Sequence, residues 1–231
     1  MESGSGHPFH PQISDFGSVG FFGVDRVVFS RPLQITKTSR ARWGYGYSKN
    51  FDPRSCTLKL QNGQTIHITA DDVAAVLGLP KGNIEITKRI VKAMPEILKE
   101  WRWFFEKTTA YITPKALKRK MLEVDAADPW FKRHFALLVM SVLVDPMVNG
   151  YVTQNYIDHL LDVGNIQNLN WSQLVINALI NSKQLWMKST DKLYGGPIVF
   201  LMIFYVDRVV LFRSIVQEAS QPSKTDIQAA V

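Results

Sequence analysis

Apolar and polar positions alternate with a period of two in "CTLKL" (56–60) and "QTIHI" (64–68), on either side of Asn62-Gly63. That period turns one face inward, and Asn-Gly suits a type I′ turn with positive φ at both central residues, so a β-hairpin is predicted. His67 falls on the polar phase and is expected at the surface. After the hairpin the spacing becomes helical. Thr69 is the expected N-cap of "ADDVAAVL", with Asp71 and Asp72 in the first turn and Gly78 and Pro80 ending it. Pro95 opens "PEILKEWRWFFEK", where Ile97, Leu98, Trp101, Phe104 and Phe105 form one face and Trp103 falls off it. Thr113-Pro114 and Asp128-Pro129 open "PKALKRKMLEV" and "PWFKRHFALLVMSVLV", each proline standing where a missing N–H costs nothing. Thr153 reads as the cap of "QNYIDHLLD", Asn170 as the cap of "WSQLVINALINSKQLWMK", and Pro197 as the start of the last helix.

The expected fold is mainly α: a single helical domain over 50–213, with one small β-hairpin near residues 56–68. Residues 1–15 read as a flexible N-terminal tail, 16–49 as a poorly defined segment and 214–231 as a flexible C-terminal tail. Within 16–49, Arg40 and Arg42 beside Trp43, Tyr45 and Tyr47 form either a stacking platform for bases or a loop anchor. The most apolar stretch, "IVFLMIFYV" (198–206), is followed by Asp207-Arg208. It is too short for a span of about 20 apolar residues, so it reads as a core helix surrounded by neighbours, with the charged pair at its far end. No membrane association is expected.

Composition narrows the class. The chain of 231 residues has a single cysteine, Cys56, and a net charge of +7. One cysteine forms no internal disulfide and builds no zinc site with scattered histidines, which fits a reducing compartment. His7 and His10 read as tail residues. The charge is localised: residues 81–120 hold eleven Lys and Arg against four acids. A basic surface of this kind attracts phosphate backbones or an acidic partner, and the same bases also suit a solvated helix face.

No pattern for chemistry stands out. There is no phosphate-cradling glycine loop and no nucleophile signature. Asp158, His159 and Asp162 are the nearest approach to a metal cluster, and they read as a hydrated helix face on which the two aspartates share a side. Cys56 reads as a structural thiol. The expected catalytic residues, metals and cofactors are none, and the chain is read as no enzyme.

Three blocks carry a resemblance. "NFDPRSCTLKLQNGQTIHITADDVAAVLGLPKG" (50–82), "NLNWSQLVINALINSKQLW" (168–186) and "YGGPIVFLMIFYVDRVV" (194–210) occur in an order similar to the plant mobile domain, the aminotransferase-like family of transposon-associated plant proteins also found fused to ubiquitin-like-protease domains. Residues 30–49 depart from it, and the chain stops soon after the third block, so no protease module is expected here. The resemblance implies a land-plant protein of mobile-element origin in the nucleus (alternatively the cytoplasm), acting in silencing, gene regulation or genome stability. It supplies no catalytic residues.

Two function classes stay open at this point. One is a nuclear module binding nucleic acid or chromatin through a basic helical surface. Lys115, Lys118 and Arg119 share a face at i, i+3 and i+4, Lys120 adjoins them, and Lys88, Arg89 and Lys92 extend the patch. The other is a protein-interaction scaffold with nuclear proteins as partners and Trp103 as an anchor. A truncated transposon-derived protein without selected activity is the third possibility.

Overall fold

The computed structural model of the protein describes residues 46, 48–60, 62–88, 96–106, 111–125, 128–147, 149–189 and 194–219, with side chains up to Arg208 in the last segment. The tail at 1–15, the platform of Arg40, Arg42, Trp43, Tyr45 and Tyr47, Pro95, and residues 220–231 lie outside the described residues.

The chain is mainly helical with one small antiparallel sheet. Strand β1 (Phe51–Asp52) pairs with β2 (Thr57–Lys59), which pairs with β3 (Thr65–His67). The alternation holds, since Leu58 is buried opposite Ile66 while Lys59 and His67 face solvent. The turn differs from expectation. The Leu60 amide donates to the Gln64 carbonyl at 2.7 Å, so three residues separate the paired ends, and Gly63 takes φ 85° while Asn62 does not become positive. This is the three-residue hairpin loop with glycine in the left-handed position, a commoner partner of a type I turn than of type I′. β1 is an addition to the predicted pair. It is held by the Asp52-Pro53 turn, where the Asp52 carboxylate accepts from the Arg54 amide at 3.1 Å and the Ser55 hydroxyl at 2.6 Å.

Helix α1 (Ala70–Leu77) begins with a capping box. Thr69 accepts from the Asp72 amide, and the Asp72 carboxylate accepts from the Thr69 amide. It stops at Gly78, whose φ of 65° lets its amide reach the Ala74 carbonyl. The chain then lies along 168–172. The Gly82 and Ile84 amides donate to the Leu169 and Asn168 carbonyls, and Ser172 Oγ donates to the Leu79 carbonyl at 3.0 Å. Gly82 permits this approach, because a Cβ there would collide with the Asn168 backbone.

Helices α2 (Glu96–Trp103), α3 (Pro114–Met121) and α4 (Pro129–Val139) follow. Thr113 and Asp128 cap the last two with their side chains, ahead of the prolines. α4 runs into a π-helical turn, Met140–Val144. There Ser141 Oγ donates back to the Leu137 carbonyl at 2.6 Å and accepts from the Thr153 amide at 3.0 Å. A hydroxyl bonded to the preceding turn loosens the local ladder and accommodates the wider winding.

That contact explains one failed expectation. Thr153 caps no helix. Its amide is committed to Ser141, its side chain is buried, and residues 151–154 are irregular. Two 3₁₀ turns, Ile157–Leu160 and Val163–Asn168, replace the predicted helix. Asp158 and Asp162 therefore do not share an α-helical face. Asp162 caps the second turn through the Gly164 amide at 2.9 Å, and His159 Nε2 lies 3.0 Å from the Thr87 carbonyl.

α5 (Trp171–Met187) is capped by Asn170 and runs through the core, burying Trp171, Leu174, Val175, Ala178 and Leu179. α6 (Ile198–Ala219) is the long terminal helix and continues past 213, so residues 214–219 are helix rather than tail. It buries Phe200, Leu201 and Phe204. It is not enclosed all round, because Ile203 and Val206 are 39% and 54% exposed. Asp207-Arg208 lies mid-helix. Arg208 pairs with Asp72 of the capping box on α1 and covers the Phe204 ring at 5.3 Å. Among the described residues no helix is long and apolar enough to cross a membrane.

Candidate functional site

Helix α3 carries the candidate bases. Its apolar stripe, Leu117 and Met121, is buried four residues apart, which leaves Lys115, Lys118 and Arg119 exposed on the outer side. None of these three makes an ion pair among the described residues. The other candidates are arranged differently. Lys120 is half-buried and pairs with Glu123 at 2.7 Å. Lys88 pairs with Asp145 at 2.8 Å, and the same carboxylate accepts from the Tyr156 hydroxyl at 2.8 Å. Arg89 and Lys92 lie outside the described residues. Lys81 and Lys99 meet Asp71 and Glu96, and Arg102 Nε donates to Gln154 at 2.9 Å. Among the described residues, the basic run thus leaves three cations without an ion pair together on one helix face, Lys115, Lys118 and Arg119, with Lys120 beside them.

A cleft of about 330 Å³ adjoins that face. One wall is the end of α2 and the turn after it, Phe104, Phe105 and Glu106. The other is Tyr111, Ile112 and the first turns of α3 up to Arg119 and Lys120. α2 stops at Trp103, earlier than the apolar pattern suggested. The Phe105 and Glu106 amides fold back onto the Arg102 and Trp103 carbonyls, and Glu106 takes φ 52°, a left-handed conformation costly for a residue with a Cβ. Trp103 projects outward and is 78% exposed, with its ring 6.3 Å from that of Phe104. Tyr111 is 63% exposed and stands edge-on to Tyr151 at 5.1 Å.

Behind the aromatic wall lies His134 on α4, fully buried among Phe104, Phe105 and Trp130, with ring centroids 5.8–5.9 Å away. Neither ring nitrogen has a hydrogen-bond partner among the described residues. Burial lowers its pKa to about 4; Asp128 opposes the shift, and Arg133 and Lys120 add to it. The helical spacing gave no signal for this residue. A histidine in an apolar run is visible in the sequence, but its lack of partners is not.

Sequence reasoning also passed over Lys183. It is buried on α5, and burial lowers its pKa. A buried lysine of that kind is a candidate nucleophile. Here its ammonium donates to the Ser48 and Lys49 carbonyls and sits over the Trp186 ring at 4.9 Å, so it pins residues 48–49 to the core. Cys56 is half-buried, and burial raises its pKa, which disfavours the thiolate. Among the described residues no group of three or more His, Cys, Asp or Glu side chains could hold a metal ion.

Residues 33–202 match the family model described as Domain of unknown function (DUF8566). The chain belongs to that family. No curated protein and no solved structure matches it. The DUF8566 region contains the sheet, α3 and the cleft, and ends inside α6 before Arg208.

Proposed function

We propose that this chain is a non-enzymatic nuclear module of mobile-element origin that binds nucleic acid or chromatin weakly through the phosphate backbone. The observation that carries the binding reading is the outer face of α3, where Lys115, Lys118 and Arg119 stand together in solvent with no ion pair among the described residues. Cations that are already exposed and unneutralised lose little on meeting phosphates, and each phosphate they neutralise releases a counterion. Nuclear residence and mobile-element origin come from the likeness to the plant mobile domain. No base-reading motif is recognised, so the binding is sequence-tolerant.

The test is fluorescence anisotropy of the chain with labelled DNA duplex across a salt series. Three phosphate contacts predict a log–log slope of about −2.7. A variant carrying Lys115→Glu, Lys118→Glu and Arg119→Glu should lose the binding. Affinity that is the same at low and moderate salt would falsify the reading.

A second reading rests on Trp103. An indole this exposed suits a protein partner, which would make the chain an interaction scaffold in silencing or gene regulation. Partner capture that survives nuclease treatment but fails with Trp103→Ala favours it over the first.

A further inference from the structure

The cleft beside α3 differs from the rest of the basic face in chemistry. Its walls carry three aromatic rings, Phe104, Phe105 and Tyr111, and its α3 side carries Arg119 and Lys120. Aromatic rings stack on any base, since every base has a π-face, and cations nearby take the phosphates on either side. The volume of about 330 Å³ lies at the lower end of the range of roughly 300–1,000 Å³ common for small-molecule sites. The described wall residues are braced from behind. Tyr111 is braced by Tyr151, the Ile112 carbonyl accepts from the Val152 amide at 2.8 Å, and Phe104 and Phe105 are backed by His134 and Trp130. Glu106 is held at the cleft in a strained conformation, and strain of this kind collects at ligand-binding positions. Its carboxylate accepts hydrogen bonds, which suits the amino and imino groups on base edges.

A duplex hides its base faces in the stack, whereas a single strand exposes them. We propose that the cleft receives one unstacked base of a single-stranded nucleic acid whose phosphates run along Lys115, Lys118 and Arg119. The proposal rests on the basic-face reading above and adds the form of nucleic acid preferred. The continuity of charge from Arg119, which lines the cleft, to Lys115 and Lys118 on the same helix favours a nucleic acid over a peptide as the occupant.

Three probes of equal length separate the possibilities: an ordinary DNA single strand, a strand of abasic residues with the same phosphates, and a duplex. The ordinary strand should bind about tenfold more tightly than the abasic one. Tyr111→Ala should erase most of that ratio while leaving abasic affinity and the salt slope unchanged, and Tyr111→Phe should restore it. Tyr111 is exposed, so the fold survives the change, and a thermal melt checks this. Equal binding of ordinary and abasic strands, with Tyr111→Ala silent, overturns the cleft proposal and leaves the cleft to a peptide, while a steep salt slope would still uphold the basic face. Failure of all three probes to bind at low salt overturns both.

Discussion

The two ends of this fold differ in what they leave exposed and unpaired. Where α1, α5 and α6 meet, polar atoms are mostly spent on one another. Asp72 serves Thr69 with one oxygen and Arg208 with the other, Trp171 Nε1 donates to the Ile166 carbonyl at 2.8 Å, and Ser172 and Lys183 reach backbone carbonyls. Among the described residues there, the Tyr194 hydroxyl and Arg208 Nε are buried without a hydrogen-bond partner. Around α2, α3 and α4 caps and ion pairs are made as well, but more is left over. Trp101 Nε1 and both His134 nitrogens are buried without a partner among the described residues, while Trp103, Tyr111 and three cations stand in solvent. Residues that carry the three quoted blocks fall almost wholly at the first end. Their polar positions cap helices and join elements, so the blocks report how the chain folds. The candidate site lies outside them, and this is why the blocks came with no chemistry attached.

Breaking the first end should give the largest effect. Asp72→Ala removes half of the capping box and leaves the Arg208 guanidinium partly buried with its main partner gone. The lost cap costs about 1 kcal/mol and the partly buried guanidinium left without its carboxylate about 1–3 kcal/mol more, so the melting temperature should fall by about 10 °C. Asp72→Asn keeps an oxygen for the Thr69 amide and should lose less. Binding to nucleic acid per folded molecule should not change in either variant. A loss of binding without a loss of stability would mean that the two ends are not separate in function.

The second end should show itself in pH. His134 has a pKa of about 4 in the fold against an ordinary value near 6.5. The unfolded chain therefore takes up the proton first. The His134 contribution is full above about pH 6.5, is lost as the pH drops, and stops changing below about pH 4. The full loss is about 3 kcal/mol. Urea unfolding at a series of pH values measures it, and His134→Leu should flatten the curve across that window. A curve unchanged by the substitution would mean that His134 finds a partner after all.

How much of this was legible follows from the range of the interactions. The caps at Thr69, Thr113, Asp128 and Asn170 act over three residues, and each stands where the sequence placed it. The hairpin was visible from alternation. Its loop was misjudged because a three-residue turn with one left-handed glycine and a two-residue turn with two share the same Asn-Gly. β1 is two residues long, too short to alternate. The region after 151 was misread because Thr153 has the chemistry of a cap, and only the fold brings Ser141 to its amide. The basic face of α3 was legible from i, i+3, i+4 spacing. Which bases were already neutralised was not, because Asp145 lies 57 residues from Lys88. The cleft was hidden for the same reason: its walls come from two helices and gain their shape from Tyr151 and His134, far along the chain.

Trp103 gives the smallest effect and the sharpest contrast. Trp101 and Trp103 are two residues apart on α2, with the same side chain and the same backbone. A step of two turns a residue about 200° around a helix, which puts Trp101 in the core and Trp103 in water. Truncating a buried tryptophan costs about 3–5 kcal/mol, whereas Trp103→Ala should move stability by less than about 0.5 kcal/mol, as for a surface change. Thermal unfolding of the variant settles the point. A cost of several kcal/mol would show that the indole is covered in solution, and the aromatic end would then belong to the core. Near-neutrality would leave a large apolar ring held in water beside a cationic helix, a placement that folding does not require and that binding would use.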